Sequence, residues 1–311
     1  MLKKLIPTMM LGAALSATAV AAPTVVTTVA PVHSITAMVM RGVAEPMLLV
    51  DPGASPHDYA LRPSGAEALD RADLVVWIGP QLEGFMSRPI AALASDATLL
   101  TLAEVPGVHL HGARDEEDWS HGQESEQSHG SHGHHDHEDG IDPHLWLDPA
   151  NGKLWAAAIA DALAAADPAN AAVYRANAAD AQRRIEAAEA EIRTVIAPVR
   201  EKPYVVFHDA YRYFEERFGT NAVGSVSLGD ARKPGAAHIR RLRDKMRDEG
   251  VVCIFTEPQF EPRLVSTLTE DTSIRVGILD PLGASLSPGS ELYTTLLLDL
   301  ARSLRDCLGA K

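Results

Sequence analysis

A repeated alternation of short apolar segments with helical segments is the strongest constraint on the fold of this chain. In the first half, four segments rich in Val and Leu are predicted strands, at residues 24–31, 46–50, 74–78 and 98–102. In the second half, the same pattern predicts four more strands, at residues 204–207, 222–226, 251–255 and 275–279. Because helical segments lie between the strands, the alternation predicts parallel sheets with right-handed crossover connections. The predicted fold class is α/β, with two (β/α) lobes that each contain a mostly parallel four-stranded sheet.

One long helix is predicted to join the two lobes. Residues 168–196 are rich in Ala, Glu and Arg, Asp167 is available as N-cap, and Pro198 lies just beyond the end. At 1.5 Å per residue the helix would extend about 43 Å, long enough to run along both lobes as a rigid spine. We therefore expect an N-terminal lobe over residues 22–166, the linker helix over 167–198 and a C-terminal lobe over 199–311.

The first 21 residues have the pattern of a secretory signal peptide. Lys3 and Lys4 precede an apolar run that ends in small residues. This run is shorter than the roughly 20 residues needed to span a bilayer. We expect a cleaved signal and a periplasmic protein, and the lack of a Cys at the cleavage site argues against a lipoprotein. The formal net charge of −14 argues against nucleic acid as a partner.

The chain contains two cysteines, Cys253 and Cys307. Two cysteines in an exported protein favour a disulfide, with two buried thiols as the alternative. Neither cysteine has the CxxC spacing that is typical of a metal or redox site.

Residues 109–139 break every periodic pattern and are predicted to form a disordered loop. Eight of the 13 histidines lie in it, among Gly, Ser, Asp and Glu: His109, His111, His121, His129, His132, His134, His135 and His137. His-rich tracts of exported proteins commonly bind metal, so this segment is a candidate auxiliary metal site. The alternative is a solvated spacer with no metal role.

Three histidines outside that segment and one aspartate are candidate metal ligands. His57 follows the second predicted strand, His144 follows the His-rich segment, His208 ends the fifth strand and Asp280 ends the eighth. Three of these four lie at or just after the carboxyl ends of parallel strands, where open α/β sheets place ligand crevices. Three neutral imidazoles and a carboxylate suit four-coordinate Zn²⁺, whereas oxygen-dominated sets suit Mn²⁺ or Mg²⁺.

Three other polar residues have weaker assignments. Glu257, after the seventh predicted strand, is a candidate hydrogen-bond acceptor for a ligand imidazole. We interpret His33 as a supporting or structural residue, and His238 as part of the solvated face of a helix rich in Arg and Lys.

Six motifs extend through nearly the whole chain after the predicted signal peptide: GASPHDYALRPS, ADLVVWIGPQLEGF, DPHLWLDP, VVFHDAYRYF, FTEPQF and LDPLG. In this order they resemble the metal-specific solute-binding proteins of ABC transporters, and most of all the zinc-specific members of that zinc and manganese cluster. The resemblance implies two (β/α) lobes joined by a long rigid helix. It also implies a membrane permease and an ATPase as partners in an ABC zinc importer.

Carried over position by position, the resemblance implies that His57, His144 and His208 bind one zinc ion tightly. Manganese-specific members have a carboxylate where this chain has His208. Some zinc-specific members have a Glu directly before the first ligand, where this chain has Pro56. The fourth ligand is therefore Asp280 or a water molecule, and we favour Asp280.

The His-rich segment also resembles an insertion of the zinc-specific members. Clustered imidazoles on a tether raise the local zinc concentration, so we expect weaker additional zinc sites that collect or sense zinc. A periplasmic zinc chaperone is a further candidate partner, and the protein is expected to be a monomer.

Two other functional classes compete with a transport protein. A zinc hydrolase would use three histidines and an open fourth position, but the sequence has no HExxH and no GxSxG motif. We therefore do not expect an enzyme. A surface adhesin is the third class, and the lack of a lipidation Cys argues against it.

Overall fold

Two parallel four-stranded sheets form the centres of two lobes. The computed structural model describes residues 22–114, 119, 140–227, 234–260 and 263–310, so the predicted signal peptide lies outside the described residues. The N-terminal sheet has the order β2-β1-β3-β4, formed by β1 (Val25–Thr27), β2 (Met47–Leu48), β3 (Leu74–Trp77) and β4 (Thr98–Thr101). The C-terminal sheet has the order β6-β5-β7-β8, formed by β5 (Pro203–Val206), β6 (Asn221–Ser225), β7 (Cys253–Thr256) and β8 (Arg275–Ile278). The predicted fold class is confirmed.

Helices connect and cover the strands. In chain order they are α1 (Ala30–Met40), α2 (Pro63–Asp70), α3 (Ser87–Leu93), α4 (Pro149–Ala166), α5 (Ala171–Ile196), α6 (Arg212–Phe218), α7 (Ala236–Asp248), α8 (Arg263–Thr269) and α9 (Leu292–Gly309). In the described part of the chain, no helix combines the length and the apolar character needed to cross a membrane.

The first predicted strand is wrong over its second half. β1 ends at Thr27, and α1 begins at Ala30 with Pro31 in its first turn, a position where proline favours a helix start. Every residue of α1 is buried. A helix that is buried on all sides lacks the helical period of an amphipathic helix, so it is hard to distinguish from a buried strand by sequence.

The linker helix α5 contacts helices of both halves of the chain. Its buried residues recur every three or four positions from Tyr174 to Ile196, and this face packs against α1, α4 and α9. Its start differs from the prediction, because Pro168–Asn170 form a 3₁₀ turn before the α-helix. Asp167 accepts hydrogen bonds from the side chains of Asn170 (2.7 Å) and Tyr174 (2.9 Å). The predicted lobe boundaries on either side of this helix stay a prediction.

A disulfide joins Cys253, the first residue of β7, to Cys307 in α9, as the sequence predicted. The two residues are 54 positions apart. The last helix is therefore covalently attached to the C-terminal sheet.

Candidate metal centre

Three of the four predicted metal ligands converge at one point. His57 lies in the loop after β2, His144 lies directly before the 3₁₀ turn that leads to α4, and His208 follows β5. One ring nitrogen of each histidine lies within 4.8 Å of those of the other two. Among the residues that the structure describes, this is the one group of three or more His, Cys, Asp or Glu side chains arranged to hold a metal ion.

The three imidazoles line a largely apolar pocket. His144 and His208 are 3% and 4% exposed, whereas His57 is half-buried. The ring centroid of His144 lies 5.3 Å from that of His57 and 5.2 Å from that of His208. Further lining residues come from both halves of the chain: Ser55, Pro56, Trp146, Glu257, Gln259, Phe260, Pro281 and Leu282.

Two buried carboxylates orient two of the rings. Asp142 Oδ1 lies 2.7 Å from His144 Nδ1, and Glu257 Oε1 lies 2.7 Å from His208 Nδ1. A carboxylate that accepts a hydrogen bond from Nδ1–H fixes the tautomer of the neutral ring in which the Nε2 lone pair faces a metal. The predicted hydrogen bond of Glu257 to a candidate ligand imidazole is present, at His208. Asp142 was not among the predicted site residues, although its position two residues before His144 could have indicated this contact.

The separation of the two oriented rings matches a shared cation. His144 Nε2 and His208 Nε2 are 3.3 Å apart. When both Nδ1–H groups donate hydrogen bonds to carboxylates, both Nε2 atoms are hydrogen-bond acceptors, so they cannot form a hydrogen bond with each other. Two nitrogens bound tetrahedrally to one zinc ion, each at 2.0–2.1 Å, are about 3.3 Å apart. The arrangement therefore fits a zinc ion bound by both nitrogens.

Asp280 lies at the carboxyl end of β8 but outside the group of three histidines. Its Oδ1 accepts hydrogen bonds from the Gln259 side chain (3.2 Å) and from the backbone N–H groups of Leu282 (3.2 Å) and Gly283 (2.9 Å). Its Oδ2 is buried and has no hydrogen-bond partner among the described residues. Coordination by Asp280 stays a prediction.

The first residues of the His-rich segment have defined contacts. His109 Nδ1 lies 2.8 Å from Asp148 Oδ2, and the backbone N–H of His111 donates to the Tyr213 hydroxyl at 3.0 Å. Burial lowers the pKa of the His111 imidazole, and the nearby Arg212 adds to this effect. The predicted disorder is therefore wrong for residues 109–114, because contacts with α6 and the start of α4 hold them. The other six histidines lie outside the described residues: His121, His129, His132, His134, His135 and His137.

His33 and His238 have structural contacts away from the pocket. His33 belongs to α1, and its Nε2 lies 3.1 Å from the carbonyl oxygen of Pro46. His238 belongs to α7, and its Nε2 lies 3.0 Å from the carbonyl oxygen of Ser225. This contact makes His238 part of the packing between α7 and β6.

Comparisons with known proteins agree with this fold. The family model described as "ZnuA: Zinc-uptake complex component A periplasmic" matches residues 25–307. The high-affinity zinc uptake system protein ZnuA of Brucella abortus (strain 2308) is 41% identical over 304 residues, covering 91% of each chain. The protein of the same description from Paracoccus denitrificans (strain Pd 1222) is 42% identical over 325 residues, covering 97% of this chain and 98% of its own.

A solved structure has the same fold. It is described as the crystal structure of a 138-173 ZnuA deletion mutant with zinc bound, and it superposes with a TM-score of 0.75 at 22% identity. The superposition covers 93% of this chain and 99% of that chain. The chain therefore belongs to the ZnuA family of periplasmic zinc-uptake components, which are substrate-binding proteins of ABC importers and not enzymes.

Proposed function

We propose that this protein captures one zinc ion in the cleft between its lobes and delivers it to the permease and ATPase of an ABC zinc importer. His57, His144 and His208 bind the ion through imidazole nitrogens. The observation that carries this proposal is the convergence of the three imidazoles, with Nε2 of His144 and His208 separated by 3.3 Å. Zinc is the preferred cargo because three nitrogen donors suit a borderline-soft, tetrahedral ion better than manganese.

Asp280 is our proposed fourth ligand, through Oδ2. That atom is buried and has no hydrogen-bond partner among the described residues, whereas Oδ1 is held by three donors. A move of this carboxylate to about 2.0–2.2 Å from the ion would complete the tetrahedron. A bound water molecule is the alternative fourth ligand.

Release of the ion follows from the distribution of its ligands. His57 and His144 precede α5 in the chain, and His208 follows it. A displacement of the C-terminal lobe therefore withdraws one imidazole and leaves the ion with an incomplete ligand set. Because α5 packs against helices of both halves, small displacements fit this fold better than a wide hinge opening.

The His-rich segment is proposed as an auxiliary site that collects or senses zinc and binds it more weakly than the cleft. Its six histidines beyond Arg114 would raise the local zinc concentration near the cleft. We further propose that the protein is exported through a cleaved signal peptide, is not a lipoprotein and acts as a monomer. A periplasmic zinc chaperone remains a candidate donor.

Zinc titration against a competing chelator tests the ligand set. We expect one tight zinc site in the wild type. Zinc affinity should fall in His57→Ala, His144→Ala and His208→Ala by more than the roughly 10- to 100-fold that is typical when a residue that only contacts a metal ligand is substituted. His238→Ala is the matched control, because that histidine contacts the Ser225 carbonyl and does not line the pocket. Unchanged tight binding in all three variants would refute the proposed site.

Two further variants address the finer assignments. Asp280→Ala should weaken tight zinc binding if the carboxylate is a ligand, and should leave it unchanged if water is the fourth ligand. Deletion of residues 115–139 should remove the weak sites and keep the tight one. Loss of the tight site in the deletion would refute the separation into two classes of site.

A further inference from the structure

Arg114 forms an ion-pair cluster that connects the two halves of the chain beside the metal centre. Its Nε donates to Asp209 Oδ2 at 2.8 Å, and its two terminal nitrogens donate to Glu215 Oε2 at 2.8 Å and Oε1 at 3.1 Å. A further bond reaches Asp209 Oδ1. The guanidinium is thus shared between two carboxylates, both more than 90 residues later in the chain.

The cluster is largely shielded from water. The side chains of Arg114, Asp209 and Glu215 are 12%, 18% and 9% exposed. The ring of Trp119 covers the guanidinium, with 3.9 Å from Cζ to the ring centroid. Paired arginine–carboxylate bonds in such surroundings are geometrically specific and stronger than exposed pairs.

Both ends of this cluster lead directly to proposed zinc ligands. Asp209 is the residue after His208. On the other side, Gly112 forms an antiparallel bridge with Ile141, and the backbone N–H of Asp142 donates to the His111 carbonyl at 2.9 Å. Asp142 in turn orients His144. A short path of hydrogen bonds and chain segments therefore runs from the His208 turn through Arg114 to the His144 segment.

We infer that Arg114 is a positioning residue that holds the His208 turn against the His144 segment and thereby slows the dissociation of zinc. This inference rests on the proposed function. For the ion to leave, Nε2 of His144 and His208 must separate, and the path through Arg114 resists that separation. Removal of the guanidinium loosens the two proposed ligands relative to each other, although it removes no zinc-binding atom.

The test is the rate at which the zinc-loaded full chain transfers zinc to an excess of chelator, followed by stopped flow. We expect Arg114→Met to accelerate zinc dissociation about 10-fold, which is the lower end of the range for substitutions of residues that support metal ligands. Association should change little, since most affinity differences between related complexes lie in dissociation. Wild-type dissociation kinetics in Arg114→Met would overturn the inference.

Arg217→Met is the matched control. Arg217 also connects the two halves of the chain, with two bonds of 2.7 Å to Asp148. Both residues contact His109, but neither lines the pocket of the three imidazoles. We expect its zinc dissociation rate to stay at the wild-type value. Equal acceleration in both variants would show that general contact between the lobes controls release, and would overturn the specific role of Arg114.

Three further measurements separate positioning from a loss of stability. Arg114→Lys keeps the charge without the planar fork, so we expect partial recovery of the slow rate. Asp209→Asn should add little to Arg114→Met in a double-mutant cycle, because both remove the same contact. Cobalt-loaded Arg114→Met should show a shifted visible spectrum at saturation, and an unshifted spectrum would count against a change at the ligands. If His208→Ala binds zinc as tightly as the wild type does, the proposed function fails independently of these results.

Discussion

Glu83 is a buried carboxyl group whose protonation should control the pH dependence of folding stability. It is fully buried, and its acceptor oxygens bind the Thr28 hydroxyl and the backbone N–H groups of Ile78 (3.1 Å) and Gly79 (2.9 Å). These bonds connect the chain after β1 with the chain after β3. Burial raises the pKa of Glu83 from 4.5 to about 7, and the hydrogen bonds from Thr28, Gly79 and Ile78 only partly oppose this effect.

The raised pKa gives both the sign and the size of the effect. The folded state binds the Glu83 proton more tightly than the unfolded state, so the associated stabilisation is complete below pH 4.5. It declines as the pH rises and is lost above about pH 7. The displacement of the pKa corresponds to about 3 kcal/mol in the free energy of unfolding. Wild-type protein should therefore lose up to about this amount between pH 4.5 and 8 through this one group.

Glu83→Gln should abolish this part of the pH dependence. The amide stays neutral, its oxygen can accept from the Ile78 and Gly79 N–H groups, and its nitrogen can donate to the Thr28 hydroxyl oxygen. We expect the variant to resemble the wild type at pH 5 and to exceed its free energy of unfolding by as much as about 3 kcal/mol at pH 8.

Urea unfolding of the zinc-free protein, with chelator present at each pH from 5 to 8, measures this difference. Glu67→Gln is the control, because Glu67 is an exposed partner of Arg71. An equal loss of stability at pH 5 and pH 8 in Glu83→Gln would refute the reasoning, since it would mean that Glu83 is ionised throughout.

Two further predictions concern the metal centre and the packing behind it. Glu257→Gln removes the charged acceptor of His208 Nδ1–H, so zinc affinity measured by chelator competition should fall by about 10- to 100-fold; unchanged affinity would contradict the orienting role. In Gly152→Ala, the new Cβ would lie 2.5 Å from the Tyr293 hydroxyl oxygen, which donates to the Trp146 carbonyl. We expect a loss of about 1–3 kcal/mol in urea unfolding, whereas Gly84→Ala, which meets open space, should cost less.

Local sequence patterns predicted the two sheets and made three histidines and one aspartate candidate ligands, and the family resemblance implied the set His57, His144 and His208. The alternation of Val- and Leu-rich segments with helical segments is a property of neighbouring residues, so it is readable without a structure. His57 and His208 follow strands of two different sheets, so strand order placed each of them near the carboxyl edge of its own sheet. Their meeting depends on how the two sheets face each other. The same local rules failed for α1, because burial on all sides removed its helical period.

Only the tertiary structure decided which side chains meet. His144 and His208 are separated by 64 residues, and the packing of α5 against helices of both halves brings their Nε2 atoms to 3.3 Å. The same packing places Asp280 outside the imidazole group and Arg114 between Asp209 and Glu215. Sequence determines which chemical groups are available and on which elements they lie, whereas distances between remote groups depend on how the lobes pack.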